Sequence, residues 1–77
     1  MKELRKLHEN AAEQYELAAK HHRAAAHSLD EGDIDSASQH MCTAHGYAIH
    51  AHEFAADVFR RHVDLYDEEA ESEGDEE

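Results

Sequence analysis

Hydrophobic and small residues return every three or four positions along two long stretches of the 77-residue chain. In the first stretch, pairs of alanines recur seven residues apart. Only an α-helix turns this spacing into one continuous stripe, so the repeat predicts a helix from about residue 3 to residue 30. The pairs are Ala11-Ala12, Ala18-Ala19 and Ala25-Ala26.

The same repeat assigns heptad positions to the first helix. With His8 at position a, the alanine pairs occupy positions d and e. Small residues interrupted by larger rings are typical of a helix that packs close to its neighbours, with the rings filling the gaps. Position a holds His8, Tyr15, His22 and Leu29.

The second stretch predicts a helix from about residue 34 to residue 67. Positions b, e and g are largely apolar or aromatic, in addition to a and d. A helix that packs on one neighbour needs an apolar arc of about 100°. This arc is much wider, so we expect the helix to contact the first helix on one flank and a second molecule on another. Position a holds Ile34, Met41, Ala48, Ala55 and His62, and position d holds Ala37, Ala44, Ala51, Val58 and Leu65.

The only strong turn signal lies at residues 31–33. Gly32 can adopt the left-handed conformation that ends a helix, and Asp33 can cap the next one. A link this short makes the two helices antiparallel neighbours. Two helices alone bury little apolar surface. The sequence therefore predicts an all-α protein in which residues 1–66 form an antiparallel helical hairpin that dimerises into a four-helix bundle.

Acidic residues dominate the end of the chain. Eight of the 19 acidic residues lie between Asp67 and Glu77, and they supply most of the net charge of −12. Residues 67–77 are predicted to form a disordered acidic tail. The charge also argues against a nucleic-acid or anionic-membrane partner.

The expected compartment is the cytoplasm. No apolar run approaches the roughly 20 residues that span a bilayer, and the start Met1-Lys2-Glu3 does not resemble a signal peptide. Cys42 is the only cysteine, so it forms no internal disulfide.

Histidine is unusually abundant, with nine residues, and it is the commonest metal ligand. No two histidines are three or four residues apart, so a site would have to draw on both helices. In a hairpin that turns at Gly32, His22 is level with Met41 and Cys42, with His45 one turn further on. Thiolate, thioether and imidazole ligands suit copper(I) and, less well, zinc. The same four residues are also compatible with simple packing.

Two further readings of the histidines remain open. Histidines such as His22 or His62 of two chains could hold haem within a bundle. Alternatively, acidification could loosen the assembly by charging histidines that the dimer buries. The histidines of this second reading are His8, His22, His45, His52 and His62.

Two segments carry a resemblance to a known group of proteins. The run HENAAEQYELAAKHH at residues 8–22, followed by Gly32-Asp33 and AHGYAIHAH at residues 44–52, resembles small histidine-rich, alanine-rich bacterial helical proteins of uncharacterised function. The resemblance implies a bacterial origin and a helical hairpin, and it assigns no catalytic residue. Tyr15 departs from the pattern, which has a histidine at this place.

The leading functional hypothesis is a non-enzymatic, self-associating module whose partner is a second copy of the chain. The alternative is a protein that binds copper, zinc or haem through histidines on facing helices. Catalysis is not expected, since the sequence supplies no oxyanion hole or pocket beside Cys42.

Overall fold

Two helices joined by a tight turn form the whole fold. A computed structural model describes the backbone of residues 2–75 and the side chains of residues 2–67. Helix α1 spans Lys2–Asp30 and helix α2 spans Ile34–Asp75. No strand is present among the described residues, which confirms the all-α prediction. The helices run antiparallel as a hairpin, because Glu3 near the start of α1 lies beside Arg61 of α2, with 3.6 Å between Oε2 and Nη1.

The hairpin is long and narrow, with extents of 67 × 18 × 15 Å. At about 1.5 Å per residue, α1 is about 44 Å long and α2 is about 63 Å long. Because the two helices start from the same turn, the C-terminal part of α2 extends beyond the start of α1. The end of the hairpin away from the turn is called the open end below.

The turn follows the sequence prediction residue by residue. Gly32 has a φ of 78°. The Gly32 amide donates to the carbonyl of Leu29 at 3.0 Å, and the Asp33 amide donates to that of Ser28 at 2.8 Å. These two bonds form a Schellman motif that satisfies the free carbonyls at the end of α1.

Asp33 also begins α2. Its side-chain Oδ1 accepts a hydrogen bond from the Ser36 amide at 3.0 Å. Its backbone carbonyl accepts the first helical bond, from the Ala37 amide at 3.1 Å. Asp33 is therefore the N-cap of α2, as the sequence predicts.

Alanine makes the centre of the contact between the helices. Ala44 and Ala51 are fully buried, and no large side chain is fully buried among the described residues. Small side chains let two helix backbones approach closely, but they remove little apolar area from water. The buried residues are Ala11, Ala18, Ala37, Ala44, Ala51 and Val58.

Helix α2 ends later than the sequence predicts. Its end lies at Asp75 rather than near Asp67, about two turns further along the chain. The segment between them contains neither proline nor glycine before Gly74, and its glutamates and alanine have good helix propensity. Residues 76–77 of the predicted acidic tail lie outside the described residues. Among the described residues, neither helix combines the length and apolar character needed to cross a membrane.

Replacing Gly32 and replacing Gly46 with alanine should change the free energy of unfolding in opposite directions. Gly32→Ala places a Cβ on a left-handed residue and should lower the free energy of unfolding by about 1 kcal/mol. Gly46→Ala should raise it by about 0.5–1 kcal/mol, since Gly46 lies inside α2 and an added Cβ would meet nothing within 4 Å. Urea unfolding of both variants beside the parent measures the difference, and a loss of stability in Gly46→Ala would contradict this assignment.

Candidate functional site

The large hydrophobic side chains that remain exposed all belong to a few heptad positions. They occupy position a of α1 and positions a, b and e of α2. The range runs from Val63, which is 40% exposed, to Tyr66, which is 73% exposed. They are Tyr15, Leu29, Ile34, Met41, Ile49, Phe59, Val63 and Tyr66.

These positions form one surface of the hairpin. Viewed from its N-terminus, each helix carries these positions on the same side of its buried d positions, either all clockwise or all anticlockwise from them. Because the helices are antiparallel and face each other, equal rotations bring both stripes to the same side. The contact between His8 and His62, both at position a, confirms that the two a stripes meet. This surface, made of positions a and e of α1 and a, b and e of α2, is called the apolar face.

Charged residues are missing from most of the apolar face. No Asp, Glu, Lys or Arg occupies its positions between residues 8 and 29 or between residues 38 and 66. Five of the nine histidines occur there instead. The face thus combines apolar side chains, small residues and imidazole rings, and leaves the formal charges to the other surfaces. Its histidines are His8, His22, His45, His52 and His62.

His8 and His62 form a pair that joins the two helices near the open end. Their Nε2 atoms are 3.0 Å apart. The ring centroids are 5.3 Å apart and the rings meet edge to face at 61°. One ring can donate its N–H to the lone pair of the other, and the tautomers decide which ring donates. Both side chains are exposed.

A second histidine pair lies on the opposite side of the hairpin. The Nδ1 atoms of His21 and His40 are 3.1 Å apart. The Tyr47 ring stacks on His21 with centroids 5.7 Å apart. All three residues are at position g and all are half-buried. Packing and a hydrogen bond explain this cluster, which closes the second side of the contact between the helices.

The predicted metal ligands lie on the apolar face but do not form a closed site. His22, Met41, Cys42 and His45 are all exposed, with Met41 at 51%. Among residues 2–67, no group of three or more His, Cys, Asp and Glu side chains is placed to hold a metal ion. The neighbouring pair His21 and His40 is brought together instead. Binding of copper, zinc or haem stays a prediction.

An open groove lies beside the first histidine pair, near the end of the described side chains of α2. Its volume is about 500 Å³. Phe59, Val63 and Tyr66 of the apolar face line it together with Leu65, and His62 adds an imidazole. The lining residues are Phe59, His62, Val63, Leu65 and Tyr66.

Sequence reasoning did not identify either histidine pair. If the residues of the two helices are paired by counting outwards from the turn, His22 lies opposite Met41. His21 and His40 are the chain neighbours of these two residues, so the same count could have identified the second pair. Counting outwards from the turn does not place His8 opposite His62. The one sequence feature that connects these two residues is their shared heptad position a. Comparisons with protein-family models, with curated proteins and with solved structures give no match to this chain.

The half-buried pair should couple energetically. In a double-mutant cycle of His21→Ala and His40→Ala, we expect an interaction free energy of about 0.5–1.5 kcal/mol, because each single change leaves a half-buried ring nitrogen without its partner. Urea unfolding of the parent, both single variants and the double variant measures it. Additive losses would show that the two rings do not share a hydrogen bond.

Proposed function

We propose that the protein is a non-enzymatic self-association module, in which two hairpins join through their apolar faces to form a four-helix bundle. The observation that carries the proposal is the collection of all eight exposed large hydrophobic side chains on one face. A single chain leaves this face in water. A second copy offers a surface of the same composition, as an interface between identical chains requires.

The heptad spacing also supports a helical partner. Along α2, positions b and e alternate at intervals of four and three residues, which is the spacing of a seam between packed helices. Positions a and e of α1 alternate in the same way. The α2 series is Ser38, Cys42, His45, Ile49, His52, Ala56, Phe59, Val63 and Tyr66, and the α1 series is His8, Ala12, Tyr15, Ala19, His22, Ala26 and Leu29.

Charge placement removes an obstacle to self-association. Two chains of net charge −12 repel each other if their charges meet at the interface. The apolar face has no acidic or basic residue over most of its length, so the charges stay on surfaces that remain in contact with water and salt. Screening over about 10 Å at ordinary ionic strength then weakens the remaining repulsion.

A charge on the apolar face should separate the copies. Ile49 is 46% exposed in the single chain, so Ile49→Glu should leave the hairpin intact. In the dimer it would bury a carboxylate without a partner, and we expect at least a hundredfold weaker association. Thr43→Glu is the matched control, because it adds the same charge at an exposed position c, which lies further round α2 from the apolar face. Sedimentation equilibrium of the parent and both variants measures the dissociation constants.

The concentration dependence of thermal unfolding provides an independent measurement. A dimer unfolds at a higher Tm when the protein is more concentrated. We expect this dependence in the parent and in Thr43→Glu. A parent chain that sediments as a monomer and has the same Tm at all concentrations would exclude the proposed bundle.

A further inference from the structure

We propose that His8 and His62 together bind a divalent transition-metal ion of the copper(II) or nickel(II) type, which fastens the N-terminal part of α1 to α2. This site differs from the set His22, Met41, Cys42 and His45. It uses two ligands that the fold already holds together, 54 residues apart in the sequence.

The distance between the two nitrogens fits a shared ion. Imidazole nitrogens bind zinc, an ion of similar size, at about 2.0–2.1 Å. Two such bonds to nitrogens 3.0 Å apart enclose an angle of about 91–97°. Neighbouring ligands of a tetragonal copper(II) or nickel(II) ion are about 90° apart, whereas tetrahedral zinc requires about 109°. The separation is thus close to that of neighbouring ligands of a copper(II) or nickel(II) ion.

The two imidazole rings can replace the hydrogen bond between them with bonds to a metal ion. In the metal-free pair, one Nε2 carries the hydrogen and the other accepts it. When the ion binds, the donor ring moves its proton from Nε2 to Nδ1, and both Nε2 atoms present lone pairs. No net proton is released if both rings are neutral. The angle of 61° between the rings keeps them from stacking, so modest side-chain rotations can direct both lone pairs to one point.

The surroundings of the pair admit a hydrated cation. Both rings are exposed, so water can occupy the remaining coordination positions. Arg61 precedes His62 and would repel a cation, but its guanidinium lies 3.6 Å from the Glu3 carboxylate, which offsets its charge. The net charge of −12 attracts cations to the chain as a whole.

The second histidine pair is a weaker candidate, although its nitrogens are a similar 3.1 Å apart. His21 and His40 are half-buried, and Tyr47 stacks on His21. An ion between their Nδ1 atoms would have little room for water ligands. We assign metal binding to the exposed pair alone.

Binding at the exposed pair should stabilise the hairpin. The two nitrogens are adjacent only in the folded chain, so an ion that uses both binds the folded state more tightly than the unfolded one. The ion joins the two helices at the end opposite the turn. The site is complete within one chain, but it lies on the apolar face, which a second copy would cover in the proposed dimer. The titration is therefore made below the concentration of dimerisation, where both rings are exposed and one ion per chain is expected. Failure of metal binding in the single chain would leave the proposed dimer standing, and failure to dimerise would leave the metal site standing.

The test is a titration of the untagged protein with nickel(II), which avoids oxidation of the exposed Cys42 thiol by copper(II). The variants are His8→Ala and His62→Ala. The control is His50→Ala, which removes an exposed histidine with no hydrogen bond or ring contact found among residues 2–67. Calorimetry should give one site per chain in the parent and the control. We expect at least tenfold weaker binding in the two site variants.

Thermal melts with and without nickel(II) distinguish this site from weak binding at the other histidines. The ion should raise the Tm of the parent and of His50→Ala, and the rise should disappear in His8→Ala and His62→Ala. His62→Gln, which keeps a polar side chain of similar size, should lose the rise as well. An equal rise in the site variants and the parent, or no rise in the parent, would overturn the proposal.

Discussion

The hairpin depends on a contact between two helices whose buried centre is almost entirely alanine. The buried residues are five alanines and one valine, Val58. Burying a methyl group contributes far less than burying a leucine or a phenylalanine side chain. The alanines therefore fix how the helices lie against each other, through close approach of their backbones, and half-buried larger side chains such as Leu7, Leu17 and Phe54 add to the apolar burial that offsets the entropy of folding.

The larger side chains are placed around that narrow contact in two different ways. On one side, His21, His40 and Tyr47 fold over the contact and become half-buried. On the other side, the large residues point away from the contact and form the apolar face. The difference follows from rotation of the helices: the d positions face the partner helix, g lies on one flank, and a, b and e lie on the other. The hairpin thus has one side on which larger side chains cover the contact between the helices, and another side, the apolar face, on which they remain exposed.

The sequence predicts the local features well because they depend on single residues. Gly32 and Asp33 fix the turn through one left-handed φ and one capping side chain, and both act as expected. The acidic composition of residues 67–77 predicts disorder and an end of α2 near Asp67, whereas α2 continues to Asp75, because no proline or glycine precedes Gly74 in this segment. The histidine contacts depend on how two helices are rotated and levelled against each other. The level of the helices alone predicts His22 beside Met41, whereas the rings that meet near this level are those of His21 and His40.

The composition of the apolar face explains how a single chain can leave this face exposed to water. A continuous row of leucines at the same positions would expose a large apolar surface, and such a surface promotes unselective association. Here imidazole rings and alanines separate the large apolar side chains, so the face keeps polar nitrogens that water can reach. In the proposed dimer the same rings would fill space beneath a second helix, and within one chain they can hydrogen-bond across the helices, as His8 and His62 do. Histidine therefore suits this face better than either leucine or a charged residue, because it is compatible with water in the single chain and would be compatible with burial in the proposed dimer.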